Sequence, residues 1–267
     1  MTRRQALGAL ALAAAAVALA FLVLPVAAIF LRVPPGRLLH QLASPVVKDA
    51  LVVSLKTSLI AQAVVLLLGT PLAYLLASRR FRGRALAVTL VELPLVLPPA
   101  VAGLGLLAAF GKAGLLGTSI PFTQTAVVLA VAFVSSPLYI RQGIAAFEAV
   151  DPEVVAASRT LGAGPARTFF RVVLPLARGG LAAGEALAFA RGLGEFGATI
   201  MFAGSLRGVT QTLPLAVYEQ FSVDFDTALA IGALLVAVSA ALLLVLKLVL
   251  SWQPSRPTSS FLSARST

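Results

Sequence analysis

Apolar residues run along this chain in six long stretches, at 6–31, 50–77, 85–110, 123–147, 179–204 and 226–250, separated by polar or proline- and glycine-bearing connections. At ~1.5 Å of rise per helical residue each is long enough to cross about 30 Å of hydrocarbon. The pattern predicts an all-α polytopic membrane protein of about six transmembrane helices, occupying residues 1–252. The remaining residues, 253–267, are rich in Ser, Pro and Thr and read as a disordered cytoplasmic tail. The first stretch follows Arg3 and Arg4 and ends near Ala27 and Ala28, as a secretory signal would. Its apolar run is longer than the ~7–15 residues of a signal core, so it reads as a retained helix.

Two of the stretches carry features that plain lipid-facing helices lack. Glu92, Pro94, Pro98 and Pro99 fall inside the third, where each proline frees a carbonyl that hydrocarbon cannot satisfy. That region is expected to face protein or water. In the fifth, Gly180, Gly184, Ala188 and Gly192 recur every four residues and form one stripe of small side chains, onto which another helix can pack closely.

Composition agrees: 59% of the residues are hydrophobic and 12% charged, too few charges for the polar shell of a soluble domain this size. The net charge of +11 raises nucleic acid as a partner, but the basic residues sit at the ends of apolar runs and not along one polar face. Their distribution sets an orientation instead. With the N-terminus inside, the cytoplasmic side receives Arg3, Arg4, Arg79, Arg80, Arg82, Arg84, Arg141, Arg159, Arg167, Arg171, Arg178, Lys247, Arg256 and Arg265. The other side receives Arg32, Arg37, Lys48, Lys112 and Arg207. This bias puts both termini in the cytoplasm of a multi-pass protein of the cell inner membrane. The chain has no cysteine, which excludes disulfides, thiolate metal sites and cysteine nucleophiles. Its one histidine, His40, falls in an external connection and reads as a solvated surface residue.

The connection between the fourth and fifth stretches is about thirty residues long and holds two short helices with explicit ends. Asp151 suits an N-cap, Pro152 the first helical position, and Glu153 the positive end of the dipole. Gly162 supplies the left-handed residue that stops the first helix, and Pro165 starts a second, carrying Arg167 and Arg171, that should end before Pro175. A capped helix–turn–helix with apolar Val154, Val155 and Leu161 is either a docking platform or an amphipathic segment lying on the headgroups.

The spacing of Ala156-Ala157-Ser158, Gly162 and Val172-Val173-Leu174-Pro175 resembles the EAA motif of ABC importer permeases. In that family the loop is the coupling helix seated in a groove of a cytoplasmic ATPase, and the resemblance implies this role for Asp151, Glu153, Ala156, Ala157, Ser158, Arg159, Gly162, Leu174 and Pro175. Ala156 stands where the family usually has Glu, and Glu153 is the neighbouring carboxylate that could replace it. Two further stretches, 189–204 with its Gly194-Glu195-Phe196-Gly197 run and 93–103, resemble the molybdate branch, and the first is shared in part by sulfate and tungstate permeases. The family implies a second permease copy, ATPase subunits that hold ATP and magnesium, and an external oxyanion-binding protein. The chain itself has no G-x-x-x-x-G-K-[ST] phosphate loop and no cofactor site of its own.

Within the fifth stretch Glu185, Arg191 and Glu195 are ionisable, at a cost of roughly 2.5–3.5 kcal/mol for each unpaired charge at the centre of a bilayer. Arg191 and Glu195 are one turn apart and either neutralise each other structurally or border a translocation path. Ser135, Ser136 and Thr199 are candidate weak donors along such a path, unless they simply bond the preceding turn. An intramembrane enzyme would need a clustered acid and base or metal-ligand spacing, and a secondary transporter a repeat across its halves. The sequence shows neither.

Overall fold

Three side chains begin the helices that matter most. Ser44 accepts a hydrogen bond from the Val47 amide and Thr123 one from the Ala126 amide (3.5 and 3.3 Å), while Asp151 accepts from Glu153 (2.8 Å). Each satisfies an amide that the first turn leaves without an intrahelical partner. The computed structural model describes residues 3–251 and is all-helical over them. Its helices are α1 (Arg3–Arg32), α2 (Pro35–Leu42), α3 (Pro45–Ser78), α4 (Arg84–Val96), α5 (Pro99–Phe110), α6 (Gln124–Glu148), α7 (Pro152–Thr160) and α8 (Pro165–Thr168). After a π-helical turn at Phe169–Val173 come α9 (Leu174–Leu193), α10 (Gly197–Ala203), α11 (Leu213–Val223) and α12 (Phe225–Ser251). Five spans are long and apolar enough to cross a membrane, and α4 with α5 makes a sixth if the bent pair counts as one. The tail at 253–267 lies outside the described residues.

The core is the packing of α3, α6 and α9, and glycine sets its distances. A Cβ on Gly180 would stand 2.5 Å from that of Ala146, one on Gly184 2.8 Å from that of Gln142, and one on Gly143 2.9 Å from that of Ala73. The small-residue stripe of α9 is therefore the surface on which α6 lies. Buried Tyr139 closes the α3–α6 contact by sharing a hydrogen bond with Thr70 (2.5 Å) and by packing its ring on Gly69. At the far end the Leu213 amide donates to Ser54 (2.7 Å), which ties the start of α11 to α3.

Two spans differ from the uninterrupted apolar stretches. The third is broken at Leu97 and Pro98, where α4 and α5 meet at 114°. Proline forces the residue before it out of the helical region, and Leu97 is extended at ψ 135°. The fifth does not run over 179–204: helix is continuous from Pro165 to Leu193, then stops, and α10 is a separate piece. Nor does the second short helix end before Pro175. The π-turn, in which the Leu174 amide reaches back to the Phe169 carbonyl, widens the helix just where Pro175 lacks a donor, and the helix continues to Leu193. The two breaks face each other. A Cβ on Gly197 would stand 2.6 Å from that of Pro99, and one on Gly103 2.6 Å from the Ala198 carbonyl. The α10 side of this contact is buried at Ala198 and Thr199, while Val96, Pro98 and Pro99 of the α4–α5 break stay exposed on this chain.

If glycine sets the α6–α9 distance, Gly180→Val should force the helices apart, at about 1–3 kcal/mol for an overpacked core position. The expected result is a lower midpoint of thermal unfolding in detergent. Gly232→Val, at a position with nothing within 4 Å, should leave that midpoint unchanged.

Candidate functional site

The loop between α6 and α9 is a rigid object. Pro152 opens α7 behind the Asp151 cap, and at the other end the Gly162 amide donates to the Arg159 carbonyl (3.0 Å) and the Ala163 amide to the Ser158 carbonyl (3.1 Å). This pair of bonds around a left-handed residue is a Schellman ending, and Gly162 has φ +84°. A Cβ there would meet nothing within 4 Å, so glycine is required by backbone conformation and not by space. The Ser158 and buried Thr168 hydroxyls are 3.2 Å apart and fasten α7 to α8, so Ser158 points inward. Glu153, Val154, Ala157 and Leu161 are exposed, Leu161 with 88% of its surface, whereas Ala156 and Arg159, also exposed, border a cleft of about 930 Å³ shared with Tyr74, Arg84, Phe147 and Glu148. Glu153 and Ala156 lie one turn apart on α7. Leu174 is half-buried at the start of α9, and Pro175 is exposed beside it.

Beneath the loop is an aromatic cluster that sequence reading misses. The Tyr74 ring at the end of α3 lies 5.3 Å from Phe147 of α6 and 4.7 Å from Phe169 of the π-turn, and Phe147 and Phe169 are 6.2 Å apart. Such ring pairs favour fixed relative geometry. The three rings tie the π-turn that leads into α9 to the ends of α3 and α6. The signal was available only as three isolated aromatics distant in sequence.

The second polar region lies within the spans. Arg191 donates to Glu195 Oε2 (2.8 Å), while Glu195 Oε1 accepts from the Ala198 amide (2.7 Å). The Glu195 side chain is 1% exposed against 35% for Arg191. One carboxylate thus neutralises the arginine and caps the first turn of α10 across the helix break. Thr199 is fully buried, and its hydroxyl has no partner among the described residues. Ser135 is also fully buried and accepts from Gln62 Nε2 (3.4 Å), which lies 3.5 Å from the Ala188 carbonyl. Gly192 leaves room for that amide, since its Cβ would stand 3.1 Å from Gln62 Nε2. The structure places Ser135 against Gln62 of α3 and Gly192 of α9, and it puts Arg191, Glu195 and Thr199 at the α9–α10 break. It separates Ser136, which lines an apolar cavity of about 280 Å³ among α3, α5 and α6. Gln62 was not singled out from the sequence, because a lone amide in an apolar run has no periodic signal.

Other charged pairs link the elements. Arg84 meets Glu148 at 2.6 Å and Arg141 meets Glu92 at 3.5 Å, both between α4 and α6, while Arg207 meets Asp49 at 3.0 Å on the opposite end of the bundle. Glu185 Oε2 is buried with no hydrogen-bond partner among the described residues.

The family model described as the binding-protein-dependent transport system inner membrane component matches residues 69–256. The molybdenum transport system permease protein ModB of Mycobacterium tuberculosis is 46% identical over 233 residues, which cover 84% of this chain and 88% of that protein. ModB of Escherichia coli K12 is 40% identical over 212 residues, covering 76% of this chain and 92% of that protein. A bacterial alginate ABC transporter, solved in complex with an alginate pentasaccharide-bound periplasmic protein, shares the fold with TM-score 0.66 at 17% identity over 91% of this chain and 93% of its own. A capped, outward-facing loop rigidly tied to a helical core, a family match across most of the chain and relatives at this identity lead to one conclusion: the chain belongs to the binding-protein-dependent transport system inner membrane components.

Proposed function

We propose that this chain is the permease subunit of an ABC importer for molybdate, working as two copies with two cytoplasmic ATPase subunits and one external oxyanion-binding protein. The observation that carries the reading is the 46% identity to a molybdenum transport permease over 84% of the chain, a span that includes the capped loop. ATP and magnesium belong to the partner ATPase, and this chain performs no chemistry of its own. The arginine distribution favours both termini and the α7 loop on the cytoplasmic side. The α1 span buries none of its residues against the rest of the chain, which suits contact with lipid and with a second permease.

In this reading the outer face of α7, with Glu153, Ala156, Ala157, Arg159 and Leu161, seats in the ATPase. Closure of the ATPase displaces α7. The Ser158–Thr168 contact and the Tyr74, Phe147 and Phe169 cluster carry that displacement into α3, α6 and α9. The α9–α10 and α4–α5 breaks, which touch each other, are where the spans can change their relative tilt.

Vesicles holding this chain alone are expected neither to hydrolyse ATP nor to accumulate anion. Addition of the partner ATPase and receptor should produce ATP-dependent molybdate uptake. Uptake of sulfate or tungstate in preference to molybdate would reassign the substrate, and no oxyanion uptake at all would end the importer reading.

A β-branched residue at Gly162 is strained by its φ of +84°, at a local cost of roughly 1–2 kcal/mol. Gly162→Val should therefore disturb the angle of α7 without unfolding the spans, and Ala157→Trp should spoil a close contact. The expected outcome in both is a normally inserted protein with weakened co-purification of the ATPase and reduced uptake. Wild-type assembly and transport in both variants would make the loop a surface feature.

A further inference from the structure

Two ion pairs join α4 to α6, and the second occupies an unusual place. The first, Arg84–Glu148, links the first residue of α4 to the last residue of α6. The other, Arg141–Glu92, lies seven residues back along α6 and eight residues on along α4. At ~1.5 Å per residue it is roughly 10–12 Å further into the bundle. The 25 residues of α6 make a helix about 37 Å long, little more than the hydrocarbon thickness, so this second pair lies within the span, towards the end that the charge count makes cytoplasmic, and not in the connection itself.

It is also open. The Arg141 side chain is 70% exposed and that of Glu92 39%, whereas the Arg191–Glu195 pair hides its carboxylate completely and adds a backbone amide to it. The Arg141–Glu92 contact runs through Nε at 3.5 Å, and the guanidinium, with its five donors, makes no other ion pair or hydrogen bond among the described residues. Charged side chains so exposed at that depth turn to water or to a protein partner and not to acyl chains. A guanidinium with a free fork is the group best matched to a tetrahedral oxyanion, and a loosely held carboxylate is its natural competitor.

We propose that Arg141 contacts the anion on the transport path, and that Glu92 is the counter-ion from which it is released as the anion arrives and to which it returns afterwards. The proposal rests on the oxyanion-importer reading and adds to it a specific residue. Exchange between two acceptors keeps the arginine compensated at every stage. It also prevents the path from holding the ion too tightly to let it leave.

The chain contains no cysteine, so Arg141→Cys introduces a single thiol. Assembled in vesicles with cysteine-free receptor and ATPase, this variant should lose uptake by roughly tenfold or more, as expected for a charged contact, while keeping receptor-stimulated ATP hydrolysis. A water-soluble thiosulfonate that attaches an ammonium group should restore part of the uptake, and one that attaches a sulfonate should not. Glu92→Gln should lower uptake less than Arg141→Gln does, and should have no further effect in the double variant. A thiol at position 141 that reacts only with a membrane-soluble maleimide would overturn the proposal, because Arg141 would then be reaching for headgroups. Equal effects of the two thiosulfonates would overturn it as well, in favour of a purely structural pair. A wild-type assembly that takes up no oxyanion would instead bring down the importer reading itself, a result distinguishable from either of these.

Discussion

Hydrocarbon offers no water to a backbone amide or a charge, and the Glu195 carboxylate shows how this fold lives with that constraint. It takes the Arg191 guanidinium on one oxygen and the Ala198 amide on the other, at the point where the fifth span stops and α10 begins. The break is tolerable only because this one group satisfies both a cation and an orphan donor. The α4–α5 break lies directly against it, with Gly197 on Pro99 and Gly103 on Ala198. Two interrupted spans packed against each other provide a place where their relative tilt can change.

The same constraint explains why the core is built from small residues. With no water to expel between helices, close packing and a few internal hydrogen bonds carry the association. Gly143, Gly180 and Gly184 bring α6 against its neighbours at backbone range, and the Tyr139–Thr70 and Gln62–Ser135 bonds fix their rotation. A core this tight moves as a unit. In the proposed coupling, displacement of α7 reaches this core through the Ser158–Thr168 contact and the π-turn whose Phe169 packs on Tyr74 and Phe147.

Much of this was legible in the sequence wherever the signal was local. The Asp151 cap, the Gly162 stop and the glycine stripe are read from neighbouring residues, and each stands in the structure as an element end or a packing face, whereas two of the apolar stretches are interrupted. The run at 179–204 stays apolar on average past Leu193 despite Arg191 and Glu195, so hydropathy does not register that the helix ends there. Likewise Pro98 announces a break, but its 114° depends on what α5 packs against. The site residues divide along the same line. The loop motif is contiguous and legible, while the direction in which Ser135, Ser136 and Thr199 point is not, because a helix that is apolar all round has no face to read. Tyr74, Phe147, Phe169 and the Arg141–Glu92 pair come together only in three dimensions.

The central claim is that the outer face of α7 seats in a cytoplasmic ATPase and drives the core. Since the chain lacks cysteine, Ala157→Cys provides one reporter thiol at the middle of that face. It would be paired with single cysteines scanned across the membrane-facing surface of the partner ATPase. The account predicts that one pair forms a disulfide in the assembled complex, that ATP-dependent uptake then stops, and that reductant restores it. The absence of any cross-link in an intact complex, or full uptake in the cross-linked one, would contradict it.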